Sequence, residues 1–159
     1  PRPASIEAMT VTAPLPEAGY SKRPLSEKLG FRSGMTVAFI GLPEALEHLA
    51  ASAEFGAVAR LDDWSAPLDR GRFDAVHAFT ASRAEVEAHL AALEAAIRAD
   101  GMIWVSWPKK AAKVPTDVTE DVIRNAALAL DLVDVKVAAI DAIWSGLKLM
   151  IRKDRRGAH

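Results

Sequence analysis

The feature that most constrains the fold is a set of short, almost wholly apolar runs that alternate with segments of helical spacing. The runs are Met35–Ile40, Ala57–Leu61, Phe73–Phe79 and Met102–Trp107. Apolar runs of this length suit strands that are covered on both faces, and such strands occur in parallel sheets whose crossovers are helices. We therefore expect an α/β fold, with three layers around a mostly parallel sheet.

Helix signals fill the gaps between these runs. Helices are predicted over residues 43–56, 82–100 and 118–130, with a short one that starts at Pro24. The second is the clearest, because Ser82 and Glu85 form a capping box and the apolar spacing continues to Gly101. The third takes Asp117 as its predicted cap.

The last forty or so residues have a different pattern. Apolar and charged residues alternate in 133–137, and in 147–152 Leu147, Leu149 and Ile151 alternate with Lys148, Met150 and Arg152. A period of two indicates strands with one solvated face, so we predict an antiparallel C-terminal hairpin at the sheet edge. With right-handed crossovers, the predicted strand order is 2-1-3-4-6-5.

The chain has 159 residues, a length typical of one domain. Residues 1–18 contain Pro1, Pro3, Pro14 and Pro16 and no helical or alternating pattern. We predict an extended or disordered arm over 1–18, a single domain over 19–153 and a tail over 154–159.

Composition excludes several classes of function. A net charge of -1 gives no broad attraction to a phosphate polymer, so nucleic acid is not expected as a partner. The absence of cysteine excludes disulfides and thiolate chemistry. No run approaches the ~18 to 20 apolar residues of a membrane span, and we expect a cytoplasmic protein with no membrane partner. The histidines show no ligand spacing, so no metal is predicted.

One candidate site follows the fourth apolar run. Trp107 is followed by a cationic loop with Lys109, Lys110 and Lys113, and Thr116 and Asp117 then mark a helix start. Ammonium groups and free helix amides at one strand end favour a small anion such as a phosphate or carboxylate. The alternative is a solvated basic loop, because Asp117 itself caps those amides.

The predicted hairpin supplies the other half of this site. Trp144 and Ser145 lie near its turn, and Trp107 and Trp144 are expected to wall a ligand pocket or a surface for a protein partner. Ser145 has no histidine and acid placed near it in the sequence, so no nucleophilic role is predicted.

The order of the elements resembles a shortened class I methyltransferase-type Rossmann fold. The resemblance implies a cofactor loop after the first strand, at Gly41, and an acid for the ribose after the second, at Asp62 or Asp63. A connecting strand and helix are missing between the second and third strands. The loop also has one glycine where a cofactor loop has two or three, so we predict no cofactor and give S-adenosylmethionine as the alternative. A turn cap is the alternative role of the two acids.

Four segments also resemble a family of small uncharacterised bacterial proteins, which brings no established activity. They are Tyr20–Gly30 (in part), Phe73–His77 (in part), Trp104–Lys110 with Thr116 and Asp117, and Trp144–Lys148.

These observations give three hypotheses for function. The leading one is a non-catalytic methyltransferase-like domain that binds a small anionic ligand or a protein partner at the carboxyl ends of the strands. The second is an S-adenosylmethionine-dependent methyltransferase with an atypical cofactor loop. The third is an interaction module that pairs through the hairpin edge.

Overall fold

The computed structural model describes residues 24–159. The predicted arm over 1–18 lies outside these residues. The strands are β1 Thr36–Ile40, β2 Ala57–Leu61, β3 Phe73–Phe79, β4 Ile97–Pro108, β5 Leu132–Ala139 and β6 Trp144–Ile151. The helices are α1 Leu25–Lys28, α2 Arg83–Ala96 and α3 Glu120–Leu128, and 3₁₀ segments occupy Glu44–Ala51, Lys110–Ala112 and Lys153–Ala158.

The strands form one six-stranded sheet in the order β2-β1-β3-β4-β6-β5. Strands β1 to β4 are parallel to one another, while β6 is antiparallel to both β4 and β5. The predicted α/β class, the strand order and the antiparallel C-terminal hairpin are therefore confirmed.

Side chains on the two faces of the sheet form two separate cores. Val86, Leu90 and Leu93 of α2 and Ile123 of α3 pack against one face, here called the α2–α3 face. On the other face, here called the α1 face, the cover comes from the end of α1 and from the first 3₁₀ segment, through Leu29, Leu46 and Leu49. The alternation of β4 divides its side chains between these two cores.

Two predicted helices differ from the structure in type or length. The segment predicted as a helix over 43–56 is a 3₁₀ segment, Glu44–Ala51. The helix predicted over 82–100 ends at Ala96, because Ile97 already pairs with Phe73 as the first residue of β4. Ser82 does cap α2, since its hydroxyl accepts a hydrogen bond from the Glu85 amide at 3.2 Å.

The cap predicted for the third helix was wrong. Helix α3 begins at Glu120 rather than Val118, and its cap is Thr119, whose hydroxyl accepts a hydrogen bond from the Val122 amide at 3.2 Å. Asp117 caps a different helix, as described below.

The edge strand β5 contains a bulge between Asp134 and Lys136. Val135 and Val137 are each 49% exposed, so the predicted alternation does not bury them. A bulge and an exposed lysine, here Lys136, are devices that keep other chains from pairing with a sheet edge. The predicted interaction module would have to pair with this protected strand.

Residues 154–159, predicted as a tail, begin inside the last 3₁₀ segment. Arg152 and Arg155 form ion pairs with Asp131 at 3.4 and 3.1 Å, and the His159 ring lies 2.7 Å from the Ile97 carbonyl oxygen. No helix within residues 24–159 is long and apolar enough to cross a membrane.

Candidate functional site

A cavity of about 240 Å³ lies at the carboxyl ends of β1 and β2. Open α/β sheets bind ligands outside the carboxyl ends of their strands, so this is the position at which a site is expected. The residues that line the cavity come from the ends of the two strands and from the loops that follow them: Phe39, Gly41, Leu42, Arg60, Leu61 and Asp62.

Gly41 allows the chain to turn sharply at the end of β1. It has a φ of +66°, in the left-handed region that favours glycine, and its amide donates to the Leu61 carbonyl at 2.9 Å. A Cβ at this position would lie 3.1 Å from the Phe79 carbonyl oxygen. The first residue of the predicted cofactor loop is therefore held against both neighbouring strands.

The two acids after β2 have different roles. Asp63 accepts hydrogen bonds from the Ser65 amide at 2.9 Å and from the Ser65 hydroxyl at 2.5 Å, and these bonds lower the pKa of its carboxyl. Asp63 is therefore a turn cap. Asp62 is exposed, and its carboxylate makes no hydrogen bond or ion pair to any other residue in 24–159, so it is available to a ligand in the cavity.

Trp64 lies in the loop that follows β2. Its side chain is 2% exposed in the core on the α2–α3 face, and its indole N–H donates to the Phe79 carbonyl oxygen at 3.0 Å. Residues 62–72 form neither helix nor strand. A loop anchored by Trp64 thus takes the place of the strand and helix that the resemblance to the methyltransferase-type fold implied to be missing.

The predicted lysine loop is fixed to the hairpin through its backbone. The Lys109 amide donates to the Ile143 carbonyl at 2.7 Å, and Lys113 adopts a left-handed conformation with a φ of 58°. The side chains of Lys110 and Lys113 are exposed. The structure therefore places these two residues on an open surface.

Thr116 and Asp117 connect this loop to the start of α2. The Thr116 hydroxyl donates to the Ala81 carbonyl at 2.8 Å, and the Asp117 carboxylate accepts from the Arg83 amide at 2.7 Å. Asp117 therefore occupies an amide at the start of α2 that an anion would otherwise use.

Trp107 and Trp144 do not form one wall. Trp144 pairs with Pro108 across β4 and β6, whereas Trp107 pairs with Ser145. Because direct partners share a face, the two tryptophans lie on opposite faces of the sheet. Trp107 packs in the core on the α2–α3 face, and Trp144 contacts the Phe79 ring edge-to-face at 5.3 Å on the α1 face.

His77 and Ser106 form a buried polar pair that was not predicted from the sequence. His77 Nε2 lies 2.7 Å from the Ser106 hydroxyl oxygen, and neither residue is exposed to solvent. The Phe79 ring stacks on the imidazole at 4.2 Å, and the Nδ1 atom has no hydrogen-bond partner in the described part of the chain. Burial lowers the pKa of His77 to about 3. The imidazole is therefore neutral at physiological pH.

Comparison with solved structures decides the fold. The chain is similar to a SAM-dependent methyltransferase from Aquifex aeolicus, with a TM-score of 0.62 and 14% identity over 80% of this chain and 87% of that one. The chain has a methyltransferase-like Rossmann fold.

Two further methyltransferases agree with this result. A SAM-dependent O-methyltransferase from Thermotoga maritima has a TM-score of 0.59 and 10% identity, over 81% of this chain and 64% of that one. Magnesium protoporphyrin IX methyltransferase from Synechocystis, solved with bound SAM, has a TM-score of 0.56 and 14% identity, over 79% and 73%.

No protein-family model and no curated protein sequence matches the chain. The resemblance to small uncharacterised bacterial proteins therefore stays a prediction. TM-scores of 0.56–0.62 establish the methyltransferase-like fold, and at identities of 10–14% the activity has to be argued from the site.

Proposed function

We propose that this chain is an S-adenosylmethionine-dependent methyltransferase with an atypical cofactor loop. The observation that supports the proposal is the cavity at the carboxyl ends of β1 and β2, with Gly41 in its wall together with Asp62, whose carboxylate has no partner among residues 24–159. These are the two positions at which the methyltransferase fold carries its cofactor loop and its ribose acid. The proposal replaces our expectation from sequence that no cofactor binds.

Each of these residues has a role in the proposal. The Asp62 carboxylate accepts hydrogen bonds from the ribose hydroxyls, which is possible because no other residue in the described chain occupies it. Gly41 supplies the tight turn that lets backbone approach the cofactor. When bound, S-adenosylmethionine supplies an electrophilic methyl group to a nucleophilic acceptor.

The cavity beside the proposed cofactor loop is smaller than a typical ligand pocket. Pockets that enclose a drug-sized ligand typically have volumes of about 300 to 1,000 Å³, whereas this cavity has about 240 Å³. Leu42 contributes a bulky side chain where a second glycine would leave space. The residues present thus fit the ribose, and the cavity is too small to enclose the whole cofactor.

Calorimetry with S-adenosylmethionine and with its demethylated product tests the proposal. We expect binding in the micromolar range. The Asp62→Asn variant should bind about 10-fold to 100-fold more weakly, because a hydrogen bond to a charged group contributes roughly 1.5 to 3 kcal/mol. Asp63→Asn is the matched control and should bind like the unmodified chain, since Asp63 is used in a turn. No heat from either compound, or equal binding by Asp62→Asn, would overturn the proposal.

A second candidate is the non-catalytic domain that binds a small anion or a protein partner, here at the loop of Lys109 and Lys110, because Trp107 and Trp144 lie on opposite faces of the sheet. The small volume of the cavity at the ends of β1 and β2 favours it, since it leaves less room for a cofactor. If this candidate holds, phosphate binds in a manner that weakens with salt, and the double variant Lys109→Ala, Lys110→Ala loses that binding. Phosphate binding that the double variant keeps would remove it.

A further inference from the structure

A second cavity, of about 220 Å³, lies at the other end of the sheet, where β1, β3 and β4 begin. Met35, Met102 and Met150 contribute to its wall on the α1 face. Methionine side chains are flexible and polarizable, so they adapt to apolar ligands of different shape. One side of this cavity is therefore suited to an apolar group.

Lys148 is the charged residue of most interest in this cavity. Its side chain is half-buried and makes no hydrogen bond or ion pair to any residue in 24–159. It lies directly opposite Lys136 in the pairing of β5 with β6, and like charges in such pairs are unfavourable. Its pKa is lowered by burial and then by Lys136 and Arg32. A bound anion would relieve this repulsion.

The two carboxylates that line the cavity do not neutralise it. Asp74 accepts a hydrogen bond from the Thr36 amide at 2.8 Å and forms an ion pair with Arg98 at 3.2 Å, so it is already balanced. Asp100 is exposed. With Asp74 balanced by Arg98, the charged residues left in the cavity wall are Arg32, Lys148 and Asp100, and their sum is one positive charge. The balance favours a ligand with one negative charge over a doubly charged phosphate.

We propose that this cavity binds a small organic acid, with its single carboxylate on Lys148 and Arg32 and its apolar body against the three methionines. The volume corresponds to roughly seven water molecules at their share of the liquid, which suits a short aliphatic or aromatic acid. Three of the four sequence segments singled out above supply Gly30, Asp74 and Lys148 to this cavity. The inference does not rest on the proposed function, because the two cavities lie at opposite ends of the sheet.

Calorimetry with hexanoate and hexanamide tests the inference, since the two probes share a body and differ in charge. We expect hexanoate to bind at least about 10-fold more tightly than hexanamide and than inorganic phosphate. Lys148→Met should lose the binding of hexanoate, because it keeps the length and apolar stem of lysine and removes the charge. The exposed Lys153→Met is the matched control and should bind hexanoate like the unmodified chain.

Thermal unfolding separates lost binding from lost folding. Without ligand, Lys148→Met should melt at a higher temperature than the unmodified chain, because the unpaired charge is gone. Hexanoate should then raise the melting temperature of the unmodified chain and leave that of Lys148→Met unchanged. Equal binding of hexanoate and hexanamide, unchanged binding in Lys148→Met, or no binding of hexanoate would each overturn the inference.

Discussion

The buried imidazole of His77 makes the stability of this fold depend on pH. Its pKa is about 3 in the folded chain, because the side chain is fully buried. In the unfolded chain the ordinary value of about 6.5 applies. Above pH 6.5 the imidazole is neutral in both states, so His77 does not lower the free energy of unfolding. As the pH falls below that value, the unfolded state takes up a proton that the folded state does not, so stability is lost.

The size of the effect follows from this difference. Between about pH 7 and pH 5 the free energy of unfolding should fall by about 2 kcal/mol through His77 alone. The loss would reach roughly 4 to 5 kcal/mol near the folded pKa, as an upper bound. Carboxylates also titrate in this range, so the contribution of His77 has to be isolated by a variant.

Urea unfolding at pH 7 and at pH 5, followed by tryptophan fluorescence, measures the effect. In His77→Gln the side chain no longer titrates and its amide can still reach the Ser106 hydroxyl, so the loss on acidification should shrink by about 2 kcal/mol. His48→Gln replaces an exposed histidine and is the matched control, in which the full loss should persist. An equal loss in His77→Gln and the unmodified chain would refute the argument that burial keeps this ring neutral.

Three further substitutions test single contacts by urea unfolding. Asp117→Ala removes a cap of α2 and should cost about 1 kcal/mol, and an unchanged midpoint would contradict the capping role. Gly146→Ala brings a Cβ to 2.9 Å from the Ser106 hydroxyl and should cost about 1 to 3 kcal/mol, whereas a neutral result would mean that this part of the core can shift. Trp64→Phe leaves the Phe79 carbonyl without its indole donor and should cost at least about 1 to 3 kcal/mol, so full stability would show that the bond contributes nothing.

The architecture could be predicted because its signals are local. Short apolar runs placed the strands, and β2 and β3 have the predicted bounds. Helix ends were less predictable, as Ile97 shows: an apolar residue suits the buried face of a helix and the start of a buried strand equally well. Only its pairing with Phe73, 24 positions away in the sequence, decides between them.

The site was harder to predict because its contacts are not local. Asp117 has the sequence signature of a cap for the helix that follows it, yet it caps α2, which begins at Arg83. The positions of Trp107 and Trp144 depend on the register between β4 and β6. A shift of one residue in that register would have put both rings on one face, and the sequence gives no turn geometry that determines it.

The most direct test of the proposed cofactor site is an amide chemical-shift map of the chain titrated with S-adenosylhomocysteine, the demethylated product. We expect the largest shifts at Gly41, Leu42 and Asp62, around the cavity at the ends of β1 and β2. Shifts confined to the loop of Lys109 to Lys113, or no shifts at all, would contradict it.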